Sequence, residues 1–306
     1  MVGRVSSFGQ QQLLVRSIIN NQSRLFEDQR QVSTGKKADD FKGLAGQTGT
    51  ILGARSFKSR IETYEHTIAT IRGKLDANDV QIGGVLDGME DLKENIQTVL
   101  ANGQALGFEE LLEQTFKFTV NSLNTNFDGT YLFSGAETGT QPVNVSTLAE
   151  LSAAPSTADV FDNATIAFEA RIADGVSLEF GKLASDLGTE IFDELKALYD
   201  QHQLTPFEGE LDQTQFDFLQ SRLQSLSTSI DGLRREHVSN GLAFERLEVI
   251  NEQHKDSVLF LETFIADLED VNIAEAVTKL NNDQVALEAS YQAISSLNQL
   301  SLLNFL

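Results

Sequence analysis

The sequence predicts a mainly α fold: a long antiparallel coiled-coil helical rod built from both terminal parts of the chain, with a small β-rich outer domain inserted at its tip. Three observations carry that expectation. From Phe57 to Val99, alternating steps of four and three read Phe57, Ile61, Tyr64, Ile68, Ile71, Leu75, Asn78, Ile82, Val85, Met89, Leu92, Ile96 and Val99, with Asn78 the only polar member. A 3.5-residue period kept over about six heptads marks a left-handed coiled coil. From Leu219 to Leu268 the same stepping gives a second seam, through Leu223, Ile230, His237, Asn240, Leu247, His254 and Leu261, apolar at both ends and polar in the middle. Between the two, residues 136–188 turn to Thr, Ser, Ala, Val and Asp and hold two of the three prolines.

Taken in order, residues 4–34 read as a first helix with Ser6 or Ser7 as N-cap, stopped by Ser33-Thr34-Gly35. Residues 35–49 carry four glycines and read as a loop. They fail the phosphate-loop pattern, because Lys36 is followed by Lys37 rather than Ser or Thr. The rod helix then runs to about Asn102-Gly103, and a shorter helix follows with an apolar face from Phe108 to Phe127. Asp128-Gly129 is a turn before the β-prone Thr130–Phe133. In the outer segment, Thr165–Ile172 and Val176–Phe180 read as strands joined at Asp174-Gly175. Glu190–Tyr199 returns to helix, His202–Gly209 is a loop around Pro206, and the long return helix starts near Asp212. At Asp270-Val271-Asn272 the heptad phase slips by one residue. Asn272 is placed to cap a last helix, with Glu275 at the reciprocal capping-box position.

The seam residues with most weight are Ile61, Ile68, Leu75, Asn78, Ile82 and Leu92 outbound, and Leu223, Ile230, Leu247 and Leu261 returning. Asn78, Asn240 and Asn251 either set register or face solvent where the seam loosens. The two ends differ from the rod. Gln, Asn and Ser make up 10 of residues 1–23 and 11 of residues 281–306. Amide and hydroxyl faces suit helices packed against one another, where a buried charge would be costly; a weakly structured polar tail is the other reading, and both hold if the ends fold only on assembly. The candidate assembly contacts are Leu14, Ile18, Leu25 and Val32 in the first helix and Ile273, Val277, Leu280, Leu287, Tyr291 and Ile294 in the last.

Charge narrows the function. The net charge is −22, yet residues 1–75 hold 12 Lys or Arg against 6 Asp or Glu, a local +6 that leaves −28 for the rest. The overall charge argues against nucleic acid and anionic membranes as partners; a basic segment in such a chain could bind nucleic acid, but its basic residues are interleaved with Asp and Glu. The basic stretch is expected to pair with acidic helices of the same or a neighbouring subunit. Cysteine is absent, which excludes disulfides and thiolate metal sites. No apolar run approaches 18 residues, so no membrane insertion is expected. The segment Met1–Ser7 has no apolar core of a cleavable signal peptide. Histidines 66, 202, 237 and 254 form no zinc-binding pair, and neither G-x-S-x-G nor an EF-hand loop occurs. The N-glycosylation patterns at Asn144 and Asn163 are of a kind common by chance. No enzyme reading, cofactor or metal stands out.

Paired end helices, paired rod helices and a variable outer domain together resemble the bacterial flagellin superfamily. Gln29-Arg30-Gln31-Val32-Ser33-Thr34-Gly35-Lys36 is similar to that family's segment at the end of the first helix, and Asn272–Thr278 to the start of its last. Within the superfamily, Gly129–Gly135 and the ending Leu300–Leu306 look most like the flagellin-like hook-associated family of the hook–filament junction. The resemblance implies five parts: an N-terminal assembly helix (1–34), outbound rod helices (35–135), the variable outer domain (136–188), return rod helices (189–270) and a C-terminal assembly helix (271–306). It further implies an extracellular flagellar subunit, exported by the flagellar type III route. Its partners would be other copies in a ring, a hook-side junction protein, flagellin and an export chaperone. A minor flagellin is the nearest alternative; a cytoplasmic coiled-coil adaptor, from another class, explains the heptads but not the uncharged ends.

Overall fold

The computed structural model describes residues 2–40, 42–44 and 46–303, with side-chain surroundings for the described residues between 9 and 296 apart from 10 and 11. Among them are seven α-helices and three two-stranded sheets. The helices are α1 (Val2–Thr34), α2 (Thr48–Asn102), α3 (Phe108–Leu123), α4 (Leu148–Ala153), α5 (Ala184–Leu204), α6 (Gln213–Glu269) and α7 (Ile273–Leu303). The chain divides into two compact units: residues 60–256, and residues up to Ser59 with those from Ser257 on.

The 60–256 unit is organised by the heptad seam. Along α2, Ile61, Ile68, Ile71, Leu75, Asn78, Ile82, Val85, Met89, Leu92, Ile96 and Val99 are all buried, and only Tyr64 in this stretch of the seam is half-exposed. On α6, Leu219, Leu226, Ile230, Leu233, Asn240, Leu247 and His254 are buried and Leu223 is half-buried. The two helices run antiparallel here: Asp79 meets His237 at 2.8 Å and Arg72 meets Glu248 at 3.2 Å. The α6 start is a capping box. Gln215 N–H donates to Asp212 Oδ1 (2.8 Å) while Gln215 Oε1 accepts from Asp212 N–H (2.9 Å).

Helices α3 and α5 complete the main core with Phe108, Phe116 and Phe192, joined by Phe207 from the loop after α5, each at most 1% exposed. Glycine in the interior of α2 costs about 1 kcal/mol relative to alanine, and packing explains one such position. A Cβ at Gly84 would come within 2.8 Å of the Phe118 ring. Strands β1 (Gln104–Ala105) and β6 (Gly209–Glu210) close the end where α2 turns into α3. Strands β2 (Asn126–Phe127) and β3 (Thr130–Tyr131) form a tight hairpin through Asp128 and Gly129, whose φ values of 52° and 76° suit a two-residue turn.

Within residues 136–188 lie α4, a short 3₁₀ turn (Thr157–Val160) and the hairpin of β4 (Glu169–Ala173) with β5 (Val176–Glu179). This hairpin lays Ile172, Leu178 and Phe180 on Ile68, Ile71, Leu75 and Leu247, forming a second core cluster. His254 Nε2 hydrogen-bonds the Ile172 carbonyl at 2.7 Å, and Tyr64 Oη donates to Asp174 at 2.9 Å. Asn78 and Asn240 face each other in the seam. Asn240 Nδ2 donates to the Leu75 carbonyl (3.0 Å) and Asn78 Nδ2 to that of Phe180 (3.3 Å).

Several element ends differ from those the pattern places. The first helix begins at Val2, ahead of the expected Ser6 or Ser7 cap. The third ends at Leu123, so Phe127 lies on β2. The first strand of the outer hairpin starts at Glu169, and α5 runs past His202 to Leu204. The His202 side chain earns its helical place by accepting the Phe207 N–H at Nδ1 (3.1 Å) while only 4% exposed.

Candidate assembly surface

The other unit contains α1 and α7 packed side by side. They run antiparallel, since Asn21 Nδ2 donates to Ser290 Oγ (3.2 Å) and Arg24 Nε donates to Asp283 Oδ2 (3.1 Å). Gln22 Nε2 donates to Tyr291 Oη at 2.7 Å. The uncharged polar faces of the two ends are therefore partly spent on each other. Asn21, 7% exposed, would be an expensive burial without its hydroxyl and guanidinium partners.

Apolar cover in this unit is sparse. Leu44, Ile51, Leu261 and Ala276 are its buried apolar residues among those described. Of the sequence-derived contacts, Leu14, Ile18, Leu25 and Val32 on α1 and Leu280, Leu287 and Ile294 on α7 are half-buried. Ile273, Val277 and Tyr291 stay exposed. A second α1 stripe was not singled out by the sequence reading. Val15, Ile19 and Phe26 are 46%, 55% and 71% exposed, and with Gln22 they step four, three, four along the helix. This stripe sits about 100° round the helix from the Ile18–Leu25 line. The signal was present in the spacing, but adjacent stripes on one helix cannot be ranked without knowing which one a partner already covers.

Asp28 lies between the two helices at 9% exposure, beside a cleft of about 640 Å³ lined also by Arg24, Glu27, Lys279 and Asp283. Burial, and then the neighbouring Asp283 carboxylate, push its pKa up, while Lys279 and Arg24 pull it down.

The two turns that deliver α1 and α7 are stitched together. Lys36 and Asp270 form an antiparallel bridge, with Lys37 N–H donating to the Glu269 carbonyl (2.7 Å) and Val271 N–H to that of Gly35 (2.9 Å). Gly35, at φ 70°, takes the left-handed turn that ends α1. The Lys37 ammonium donates to the Asp267 and Leu268 carbonyls (2.7 and 3.1 Å), satisfying acceptors that the end of α6 leaves open. Arg55 Nη2 binds both oxygens of Glu269 (2.7 and 2.8 Å), and Lys58 pairs with Glu262 (2.6 Å). The basic N-terminal stretch thus finds acidic partners within its own chain. Asn272 caps α7 through the N–H groups of Ala274 and Glu275. The Glu275 carboxylate, however, turns to Lys279 at 2.7 Å, which lowers its pKa.

Against known proteins, residues 219–306 match the bacterial flagellin C-terminal helical region. That stretch is flagellin-like. It takes in α6 from Leu219 onward and α7, and so includes one half of the terminal helix pair. In fold the chain is similar to a structure assigned as a flagellar hook-associated protein from Vibrio parahaemolyticus, with a TM-score of 0.58 and 16% identity over 75% of this chain and 98% of that one. The crystal structure of Bacillus cereus FlgL gives a TM-score of 0.49 at 15% identity, over 65% of this chain and 98% of that one. No curated protein matches by sequence. Among the described residues no helix is long and apolar enough to cross a membrane, and no three metal-ligating side chains gather.

Proposed function

We propose that this flagellin-like chain is a structural, non-catalytic subunit joining hook to filament in the bacterial flagellum, and that it self-assembles through α1 and α7. The observation that carries the reading is the apolar surface left open on those paired helices, one of which belongs to the flagellin-like region. Val15, Ile19, Phe26, Ile273, Val277 and Tyr291 are too many for a helix pair whose final state is solvent. Each is already partly covered, so burying the rest between subunits would contribute roughly half of the ~1.5–3 kcal/mol that a fully exposed side chain would. Leu14, Ile18, Leu25, Val32, Leu280, Leu287 and Ile294, already half-covered, would complete that contact.

The reading extends to the partners and route that the resemblance implies. Copies of the chain form a ring between a hook-side junction protein and the first flagellin layer, after export through the flagellar type III channel with a chaperone. The hook-associated assignment of the Vibrio structure, together with the Gly129–Gly135 segment, supports the junction over the filament. Electron microscopy of cells lacking the chain tests it. Hooks without filaments, with flagellin shed into the medium, are expected; filaments of normal or merely reduced length would instead assign the chain as a minor flagellin.

A further inference from the structure

We propose that Glu269 is a positioning residue for assembly: its buried charge locks the α1–α2 turn to the α6–α7 turn, so that the two terminal helices reach their partners in one fixed relation. This inference rests on the terminal helices being the assembly elements. Its basis is geometric. Glu269 is the last residue of α6, and its side chain is only 6% exposed. Arg55, from the first turns of α2, holds both of its oxygens, and Lys36, from the turn after α1, stands 3.5 Å from one of them. One carboxylate at the end of α6 therefore ties together two segments from the other end of the chain, α2 and the turn after α1.

The surroundings show why the contact positions rather than merely decorates. The Lys36 turn is itself tied back to the last turn of α1. Gln31 Nε2 donates to the Lys37 carbonyl (3.1 Å), Lys36 N–H donates to Thr34 Oγ1 (3.2 Å), and Arg30 pairs with Asp39 (3.0 Å). On the other side, Asn272 starts α7 three residues after Glu269. A rotation of α1 relative to α7 about these turns would strain the Lys36–Glu269 contact and the Lys36–Asp270 bridge beside it, both anchored to α2 through Arg55 and Glu269. Apolar packing offers little substitute, because Leu44 and Ile51 are the only buried apolar side chains described between α1 and Ser59. A buried carboxylate that loses its cations is left uncompensated, whereas an exposed pair would rehydrate at little cost.

The experiment uses the full chain carrying spin labels on cysteines introduced at Gln29 and Thr278, both exposed and on the two helices; the absence of native cysteine makes the labelling unambiguous. Glu269→Gln keeps the shape and removes the charge. It is expected to broaden the interspin distance distribution and to reduce incorporation into flagella by about tenfold, because charge-assisted, two-pronged hydrogen bonds give way to weaker neutral ones, while the unfolding of the 60–256 unit stays where it was. Arg55→Gln, which leaves the buried carboxylate without the cation that holds both of its oxygens, is expected to change both readouts in the same direction and further. A Glu269→Gln chain with an unchanged distance distribution and normal incorporation overturns the proposal. So does an Arg55→Gln chain whose distance distribution and incorporation both stay native. Failure of the unsubstituted chain to incorporate would instead overturn the assembly reading, and the distance measurement would still decide whether Glu269 fixes the helices.

Discussion

The two compact units solve the same problem, two or more long helices side by side, with different means. Among the described residues, 39 apolar side chains are buried in the 60–256 unit and four in the unit containing α1 and α7. The first unit brings in α3, α5 and the β4–β5 hairpin to cover what a helix pair cannot cover alone. The second relies on a backbone bridge, a buried carboxylate and polar contacts between α1 and α7. Burial is non-directional and scales with area, so the first unit can be stable by itself. Directional polar contacts contribute little net free energy in water but are demanding in geometry, so they orient the second unit more than they stabilise it. That difference is what an element waiting for partners should show.

The sharpest way to break the comparison is to empty each unit of one phenylalanine. Phe192 is fully buried between Phe116 and Phe161, and Phe192→Ala is expected to cost about 3–5 kcal/mol. Phe26→Ala, at a 71% exposed position, should change monomer stability by less than about 0.5 kcal/mol yet impair incorporation into flagella. Denaturant unfolding and an incorporation assay on the same two proteins give the answer. Equal losses of stability would remove the distinction between the units.

Glycines provide a second contrast of opposite sign. A Cβ at Gly181 would stand 2.3 Å from the Phe168 backbone nitrogen, whereas one at Gly53 meets nothing within 4 Å. Gly181→Ala should destabilise by about 1–3 kcal/mol or more through overpacking. Gly53→Ala, inside helix α2 and in open space, should stabilise by about 0.5–1 kcal/mol. Thermal melts of the two variants should therefore shift in opposite directions.

The same contrast explains what could be read from the sequence. Burial along Ile61–Val99 was legible because a helix covered on one side by another helix must repeat its apolar residues every 3.5 positions. Asn272 was legible as a cap because the chemistry is local. Helix ends such as Val2 and Leu123 were not, since fraying and tertiary cover decide them. The role of Glu269 was hidden for a different reason. One acid among many in a chain of net charge −22 carries no signal until Arg55 and Lys36, more than 200 residues away, are brought beside it. Assembly residues are hidden likewise, because neither the pattern nor a single chain says which α1 stripe a neighbour covers.

Surface charge gives a smaller effect. Lys58 and Glu262 pair at 2.6 Å in the α1–α7 unit, and Arg72 and Glu248 at 3.2 Å in the other. Each is partly exposed and worth about 0.2–1 kcal/mol, less in high salt. Lys58→Ala should cost the sparsely packed unit a larger share of its cohesion than Arg72→Ala costs the well-packed one. Hydrogen exchange of the α2 start and of the middle of α2, at low and at high salt, measures this. Equal opening in both places, independent of salt, would mean that packing and not charge holds the start of α2.

The smallest expected effect is the most specific to the terminal pair. Asp28 has a folded-state pKa above its ordinary value, chiefly from burial and next from Asp283, with Glu27 adding to the rise and Lys279 and Arg24 opposing it. A carboxyl whose pKa is raised on folding binds its proton more tightly in the paired helices than in separated ones. Its charged form therefore weakens the α1–α7 pair at neutral pH, and the pair gains stability as pH falls through the folded pKa. That gain levels off once the unfolded value is also passed. Asp28→Asn imitates the protonated form without its titration. It should tighten the pair at neutral pH and flatten the response between neutral and mildly acidic solution, as read by amide exchange along α1 near residue 28. The 60–256 unit should keep its own pH dependence unchanged. If the Asn variant opens more readily than the native chain at neutral pH, then Lys279 and Arg24 outweigh burial, and Asp28 is a stabilising member of the pair.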